Sequence, residues 1–198
     1  LKIGIFGGTF DPPHKGHKHA IELVVKHVSL DLLYVMVAND PWIKSQFKEV
    51  TPAQKRLEMA KLAFSGTEKV IVSDLEIKRG GKSYTIDTVK EILRMYPDAD
   101  LYLLIGSDLL LELPKWKNYQ ELVSLVGLIV LVRDVNDDRL LKVLEFKDVR
   151  IVKIDELGEI SSTFIRQKIA CGLSVNDLID PRVMAYIQAN KLYLNQGL

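Results

Sequence analysis

The stretch Gly7-Gly8-Thr9-Phe10-Asp11-Pro12-Pro13-His14-Lys15-Gly16-His17, directly after the apolar run Ile3-Gly4-Ile5-Phe6, decides the reading of this chain. A short buried strand runs into a glycine-rich turn, and two histidines then stand three residues apart at the start of a helix. Glycine lets the backbone approach a ligand with no Cβ in the way. The helix N-terminus offers unpaired N–H groups and the positive end of a dipole. Imidazoles placed there can donate to phosphate oxygens. These ingredients suit a nucleoside triphosphate whose charge grows during reaction.

Outward from that turn, short apolar runs recur at Leu32–Val37, Val70–Val72, Leu101–Ile105, Leu128–Val132 and Val149–Ile154. Several are continuous rather than alternating, as strands covered on both faces are. Amphipathic stretches of helical length separate them. Ala20, Ile21, Leu23, Val24 and Val28 form one apolar face; Leu57, Ala60, Leu62, Ala63 and Phe64 form a second, with Thr51-Pro52 as its cap and first-turn proline. Ile86, Val89, Ile92, Leu93 and Tyr96 form a third. This alternation predicts an α/β fold: a doubly wound, Rossmann-like, mostly parallel sheet with helices on both faces. Ligands in such sheets collect beyond the carboxyl ends of the strands, where strand order reverses. The turn after the first strand is therefore the expected site. No repeat, low-complexity segment or linker divides the chain, so residues 1–198 are read as a single domain. Its C-terminal helical segment, about 161–193, includes a last helix from Asp180-Pro181 to about Asn190.

With 27 Lys+Arg against 26 Asp+Glu, the net charge of +1 gives no case for nucleic-acid or membrane partners. The lone cysteine, Cys171, excludes an intramolecular disulfide framework and fits a reducing compartment. No apolar run approaches the roughly 18 residues of a spanning helix. The sequence opens directly on a strand-like segment without a secretory signal, and the expected location is cytoplasmic. A homo-oligomer is left open.

The turn is not a P-loop, because its lysine falls between the histidines, and it lacks the Gly-x-Gly-x-x-Gly dinucleotide pattern. A metal site built from His14, His17, His19 and Asp11 is the sharper rival. His17 and His19 point to different sides of a helix, however, and no cysteine or second histidine cluster completes a tetrahedral set. No protein-held metal is expected. Far downstream, Ile160-Ser161-Ser162-Thr163-Phe164-Ile165-Arg166 has the pattern of a second helix start, with hydroxyl caps and with Ile165 and Ile169 on one face. Its dipole and Arg166 would attract an anion.

The His-x-Gly-His of the first segment and the Ile-Ser-Ser-Thr-x-Ile-Arg of the second resemble the two signatures of the nucleotidyltransferase superfamily of adenylyl- and cytidylyltransferases. Within it the chain resembles, over nearly its full length, the bacterial nicotinate-nucleotide adenylyltransferases. The resemblance implies that ATP and nicotinate mononucleotide give nicotinate adenine dinucleotide and pyrophosphate, as a step of NAD biosynthesis, by in-line attack on the α-phosphorus. It implies Mg²⁺ arriving with the ATP phosphates. His14, His17 and Arg166 would be catalytic. Gly7, Gly8, Thr9, Phe10, Gly106, Asp108, Ser161, Ser162, Thr163 and Arg166 would bind ATP, Asp108 through a ribose hydroxyl. Thr9, Lys44, Ser83, Tyr84, Thr85 and Trp116 would bind the mononucleotide, its carboxylate on the amides around Ser83-Tyr84-Thr85 and its ring against Trp116. Lys15 and Arg133-Asp134-Val135 depart from the family's pattern, which weakens a ligand role for Arg133, and Pro41-Trp42-Ile43-Lys44 matches it only loosely. The alternatives are a relative acting on nicotinamide mononucleotide or phosphopantetheine, and a module that senses ATP or NAD without turnover.

Overall fold

The computed structural model describes residues 1–41, 50–134, 136, 138–143, 146–154 and 160–194, with main chain only at 141–143. Six strands form one sheet: β1 (Lys2–Gly8), β2 (Leu32–Val37), β3 (Val70–Ser73), β4 (Asp100–Gly106), β5 (Val126–Val132) and β6 (Val149–Lys153). Every pairing between them is parallel, in the order β3-β2-β1-β4-β5-β6. The expected mostly parallel sheet is thus entirely parallel among the described residues. Strand order reverses between β1 and β4, and their carboxyl ends, Gly8 and Gly106, open side by side onto one crevice.

Among the described residues there are seven α-helices besides three short 3₁₀ segments: α1 (Lys15–His27), α2 (Ala53–Phe64), α3 (Leu75–Arg79), α4 (Thr85–Met95), α5 (Tyr119–Leu125), α6 (Ser162–Ala170) and α7 (Pro181–Ala189). They divide between the two faces of the sheet. Ala20, Ile21 and Val24 of α1, Leu57 and Ala60 of α2, Ile165 of α6 and Val183 and Ile187 of α7 pack with Leu33, Val35 and Val37 of β2. Ile86, Val89 and Ile92 of α4 and Leu122 of α5 pack on the other face with Tyr34 and Met36. Successive β2 residues alternate between the two cores, which is why Leu33–Val37 is a continuous apolar run. Each such side chain removed from water contributes about 1.5–3 kcal/mol.

At the sheet's edges β3 and β6 each leave a side chain open, Ile71 at 44% and Ile151 at 49% exposed. Two expectations are corrected. Gly7 and Gly8 do not form the turn but are the last residues of β1, in register with Met36 and Val37. Pro52 is the N-cap of α2 rather than its first-turn residue, and no side chain caps that helix. The Thr51 carbonyl instead accepts a hydrogen bond of 2.7 Å from Arg56 Nε.

Candidate active site

The crevice begins where β1 ends. A Cβ on Gly7 would meet open space, whereas one on Gly8 would lie 2.6 Å from the Phe10 ring. Phe10 makes the turn: its φ of 51° lies in the left-handed region and its ring folds back beneath Gly8. For a bulky residue that conformation costs about 1–3 kcal/mol. Burial of the ring offsets it, with Phe6, Phe64 and His17 packed edge-on at 5.7, 5.6 and 5.1 Å between centroids.

His14 is the N-cap of α1, and it closes a reciprocal capping box with His17. The His17 N–H donates to His14 Nδ1 at 3.4 Å, and the His14 N–H donates to His17 Nδ1 at 3.2 Å. The two rings stack 3.6 Å apart. Because each Nδ1 accepts, each neutral ring carries its proton on Nε2. Burial pushes the His14 imidazole down to about 4, so it stays neutral at ordinary pH. His14 therefore offers an Nε2–H donor of fixed tautomer rather than a cation.

The second motif is fastened to the first. Ser161 caps α6, accepting from the Phe164 N–H at 3.2 Å. Ser162 Oγ donates to the Pro12 carbonyl at 2.9 Å, and Arg166 Nη1 to the Asp11 carbonyl at 2.6 Å. Arg166 Nη2 also reaches Thr163 Oγ1 at 3.1 Å. The guanidinium is buried and joins two helix N-termini, from opposite ends of the chain, at one anion-ready crevice.

The remaining predicted residues surround the same strand ends. Asp108 follows β4 and is exposed; Gly106 leaves room for its carboxylate to fold back over the strand end. Ser83 Oγ accepts from the Asn39 N–H at 2.8 Å, and Asn39 Nδ2 donates to the Gly81 carbonyl at 2.8 Å, which pins the Ser83-Tyr84-Thr85 segment beside β2. Tyr84 is the N-cap of α4 and Thr85 its first residue, with no side-chain cap on that helix. Trp116 follows a short 3₁₀ turn, packs half-buried on the core beneath α4 and α5, and leaves its indole N–H buried without a partner. Lys117 ties this loop to α4, lying 4.5 Å over the Tyr84 ring and 2.9 Å from Asp87. Among the described residues no group of three or more His, Cys, Asp or Glu could hold a metal ion.

A cytidylyltransferase-like family model matches residues 5–168. A protein of Gemmatimonas aurantiaca named "Probable nicotinate-nucleotide adenylyltransferase" is 34% identical over 98% of this chain and 92% of its own length. One of the same name from Bacillus licheniformis is 38% identical over 97% of this chain and 98% of its own. The chain belongs to the nicotinate-nucleotide adenylyltransferase family. The solved structure of Plasmodium falciparum nicotinic acid mononucleotide adenylyltransferase complexed with NaAD shares the fold, with a TM-score of 0.82 at 23% identity over 97% of both chains.

For this family member, Lys44 lies outside the described residues, and so does the greater part of Pro41-Trp42-Ile43-Lys44. Lys15, a departure from the family's pattern, is tied to the segment before α7: its N–H and ammonium donate to the carbonyls of Leu178 and Asn176 at 2.9 and 3.3 Å. Arg133 is exposed after β5. Sequence reading missed Arg56, which is 1% exposed. Besides Thr51, its guanidinium donates to the carbonyls of Thr9 at 2.8 Å and Asn39 at 2.9 Å, clamping the loops after β1 and β2. Its signal was its place on the buried face of α2, one and two turns ahead of Ala60 and Ala63.

Proposed function

We propose that the chain, acting over residues 1–198 as one nucleotidyltransferase domain, joins ATP to nicotinate mononucleotide in NAD biosynthesis. An oxygen of the mononucleotide phosphate bonds to the α-phosphorus of ATP. The bond from that phosphorus to the β-phosphate bridging oxygen breaks, and pyrophosphate leaves with the electron pair. The joining of the two helix starts at Asp11-Pro12, on the switch point of the sheet, carries this reading.

Such transfer asks for positioning and charge stabilisation more than for covalent chemistry. Gly7 and Gly8 give the triphosphate its approach, and Thr9 and Phe10 shape the turn beneath it. His14 and His17 donate from Nε2 to oxygens whose charge builds as pyrophosphate departs. Ser161, Ser162, Thr163 and Arg166 present the α6 N-terminus to the outer phosphates. Gly106 and Asp108 face the ribose. No side-chain nucleophile is needed, and Cys171 sits at the far end of α6. The nicotinate carboxylate suits the uncapped N-terminus of α4 at Ser83, Tyr84 and Thr85, where an uncharged amide would gain less. Trp116 offers its indole to the pyridine ring.

Mg²⁺ fits as a companion of ATP rather than as a tenant of the protein. Both carboxylate oxygens of Asp11, the acid nearest the turn, are already engaged, by Tyr193 and the Thr51 N–H. When bound, the ion neutralises part of the triphosphate charge and keeps several waters. The lone cysteine supports a cytoplasmic setting.

Pyrophosphate release tests the reading, with Mg²⁺-ATP and nicotinate mononucleotide, nicotinamide mononucleotide or phosphopantetheine offered separately. Rapid release with the nicotinate substrate and much slower release with its amide is the expected result. Preference for another acceptor would overturn the assignment of Ser83–Thr85 and Trp116. Silence with all three while ATP binds would favour a sensor.

A further inference from the structure

Behind the phosphate turn, segments distant in sequence converge on two residues. The Tyr193 hydroxyl donates to Asp11 Oδ1 at 2.7 Å, and the Thr51 N–H donates to Oδ2 at 3.3 Å. The Asp11 and Pro12 carbonyls accept from Arg166 and Ser162 of α6, as described above. Asp11 is 5% and Tyr193 6% exposed. The sequence offered Asp11 only as a rejected metal ligand and gave Tyr193 no part.

Packing alone does not account for the tyrosine. Its ring would be replaced by phenylalanine without loss of volume, and its φ of 66° is unfavourable for any β-carbon-bearing residue. What the hydroxyl adds is a donor to a buried carboxylate, the interaction such a group most needs. Burial, with the Asp11 charge alongside, pushes the phenol far up, so it remains protonated and donating. The surroundings are cationic. The Asp11 charge is felt by the Arg56 guanidinium, and the Arg166 charge by Tyr193. A carboxylate released from the hydroxyl is left to the pull of these two buried cations, and a turn toward either would drag the backbone that leads through Pro12 and Pro13 to His14.

We propose that Tyr193 is a positioning residue for the phosphate-binding histidines. Its hydroxyl fixes the Asp11 carboxylate, and with it the Asp11-Pro12-Pro13 segment from which His14 starts α1 and against which Ser162 and Arg166 rest. The tail after α7 thereby becomes part of the active site without touching substrate. The kinetic side of this inference rests on the adenylyl-transfer reading, whereas the geometry of the imidazoles does not.

The test compares Tyr193→Phe with Leu192→Ala, which loosens the same tail but leaves the hydroxyl in place. Tyr193→Phe is expected to lower kcat about tenfold, with KM for both substrates within about twofold of the parent. Leu192→Ala is expected to lower the melting temperature at least as much and to leave kcat unchanged. Imidazole ¹⁵N resonances supply the second readout. The parent holds His14 as the Nε2–H tautomer, and Tyr193→Phe should show mixed tautomers and an upward shift of the His14 midpoint. Equal kcat losses in the two variants, or parent-like kcat and imidazole signals in Tyr193→Phe, would overturn the proposal. If the parent releases no pyrophosphate, the reaction reading fails by itself, and the imidazole signals decide the positioning role alone.

Discussion

The His14 ring makes a strong demand on pH. It is 8% exposed, and burial moves it from 6.5 to about 4. Between those values the unfolded chain binds a proton that the folded chain refuses, so stability falls as pH falls. The contribution is complete above about pH 6.5 and lost by about pH 4. At 1.36 kcal/mol for each unit, its size is about 3 kcal/mol. Protonation also removes the acceptor that caps the His17 N–H, so the loss is felt at the start of α1. The assay is urea unfolding from pH 4 to 8 of the parent and of His14→Asn, which keeps a capping oxygen and does not titrate. Subtracting the two curves cancels every other ionisable group. The parent should lose about 3 kcal/mol more than the variant between pH 7 and 4. Parallel curves, or an imidazole midpoint near its ordinary value, would refute the reasoning.

Other consequences follow from single side chains. His17→Ala should lower kcat about a hundredfold or more with the fold intact, as removal of a preorganised donor does; near-normal turnover would end its catalytic assignment. Arg56→Met leaves the carbonyls of Thr9, Asn39 and Thr51 without their donor and should cost about 3–5 kcal/mol in chemical unfolding. A loss too small to measure would show that the clamp is dispensable. Gly8→Ala drives a methyl into the Phe10 ring and should cost about 1–3 kcal/mol while weakening ATP binding by calorimetry; unchanged affinity would separate the turn from the nucleotide. Trp116→Ala should weaken mononucleotide binding by about 1–3 kcal/mol and leave ATP affinity unchanged. Equal losses would make Trp116 a packing residue only.

The central strands were legible because both of their faces are buried, which turns each into an unbroken apolar run such as Leu32–Val37. Their ends were less so. Lys2 and Asp100 pair with each other at the start of β1 and β4, where the ladder continues although the side chains turn polar. Gly7 and Gly8 carry a turn composition yet remain in the ladder, because the bend is made by Phe10, a residue whose identity does not advertise a left-handed conformation. The two helix-start motifs were readable from local spacing. Their fastening was not. The bonds from Ser162 to Pro12, from Arg166 to Asp11 and from Tyr193 to Asp11 join residues far apart in the chain, and no periodicity encodes such a meeting. The His14–His17 capping box lay in plain view, but an imidazole in the cap role hides behind the same residue's better-known use as a phosphate donor.

The parallel pairing at the middle of the sheet sets a schedule for synthesis. Ile5 lies beside Leu103, so β1 waits for β4 before its second edge is covered. At about 5–20 residues per second, that interval is about 5–20 s of translation, during which an apolar strand edge is open to other chains. The turn after β1 waits longer still, until α6 and Tyr193 emerge. A nascent chain halted anywhere before that point carries the first motif without the partners that hold it, so ribosome-bound fragments should engage chaperones and lack the finished enzyme's grip on nucleotide.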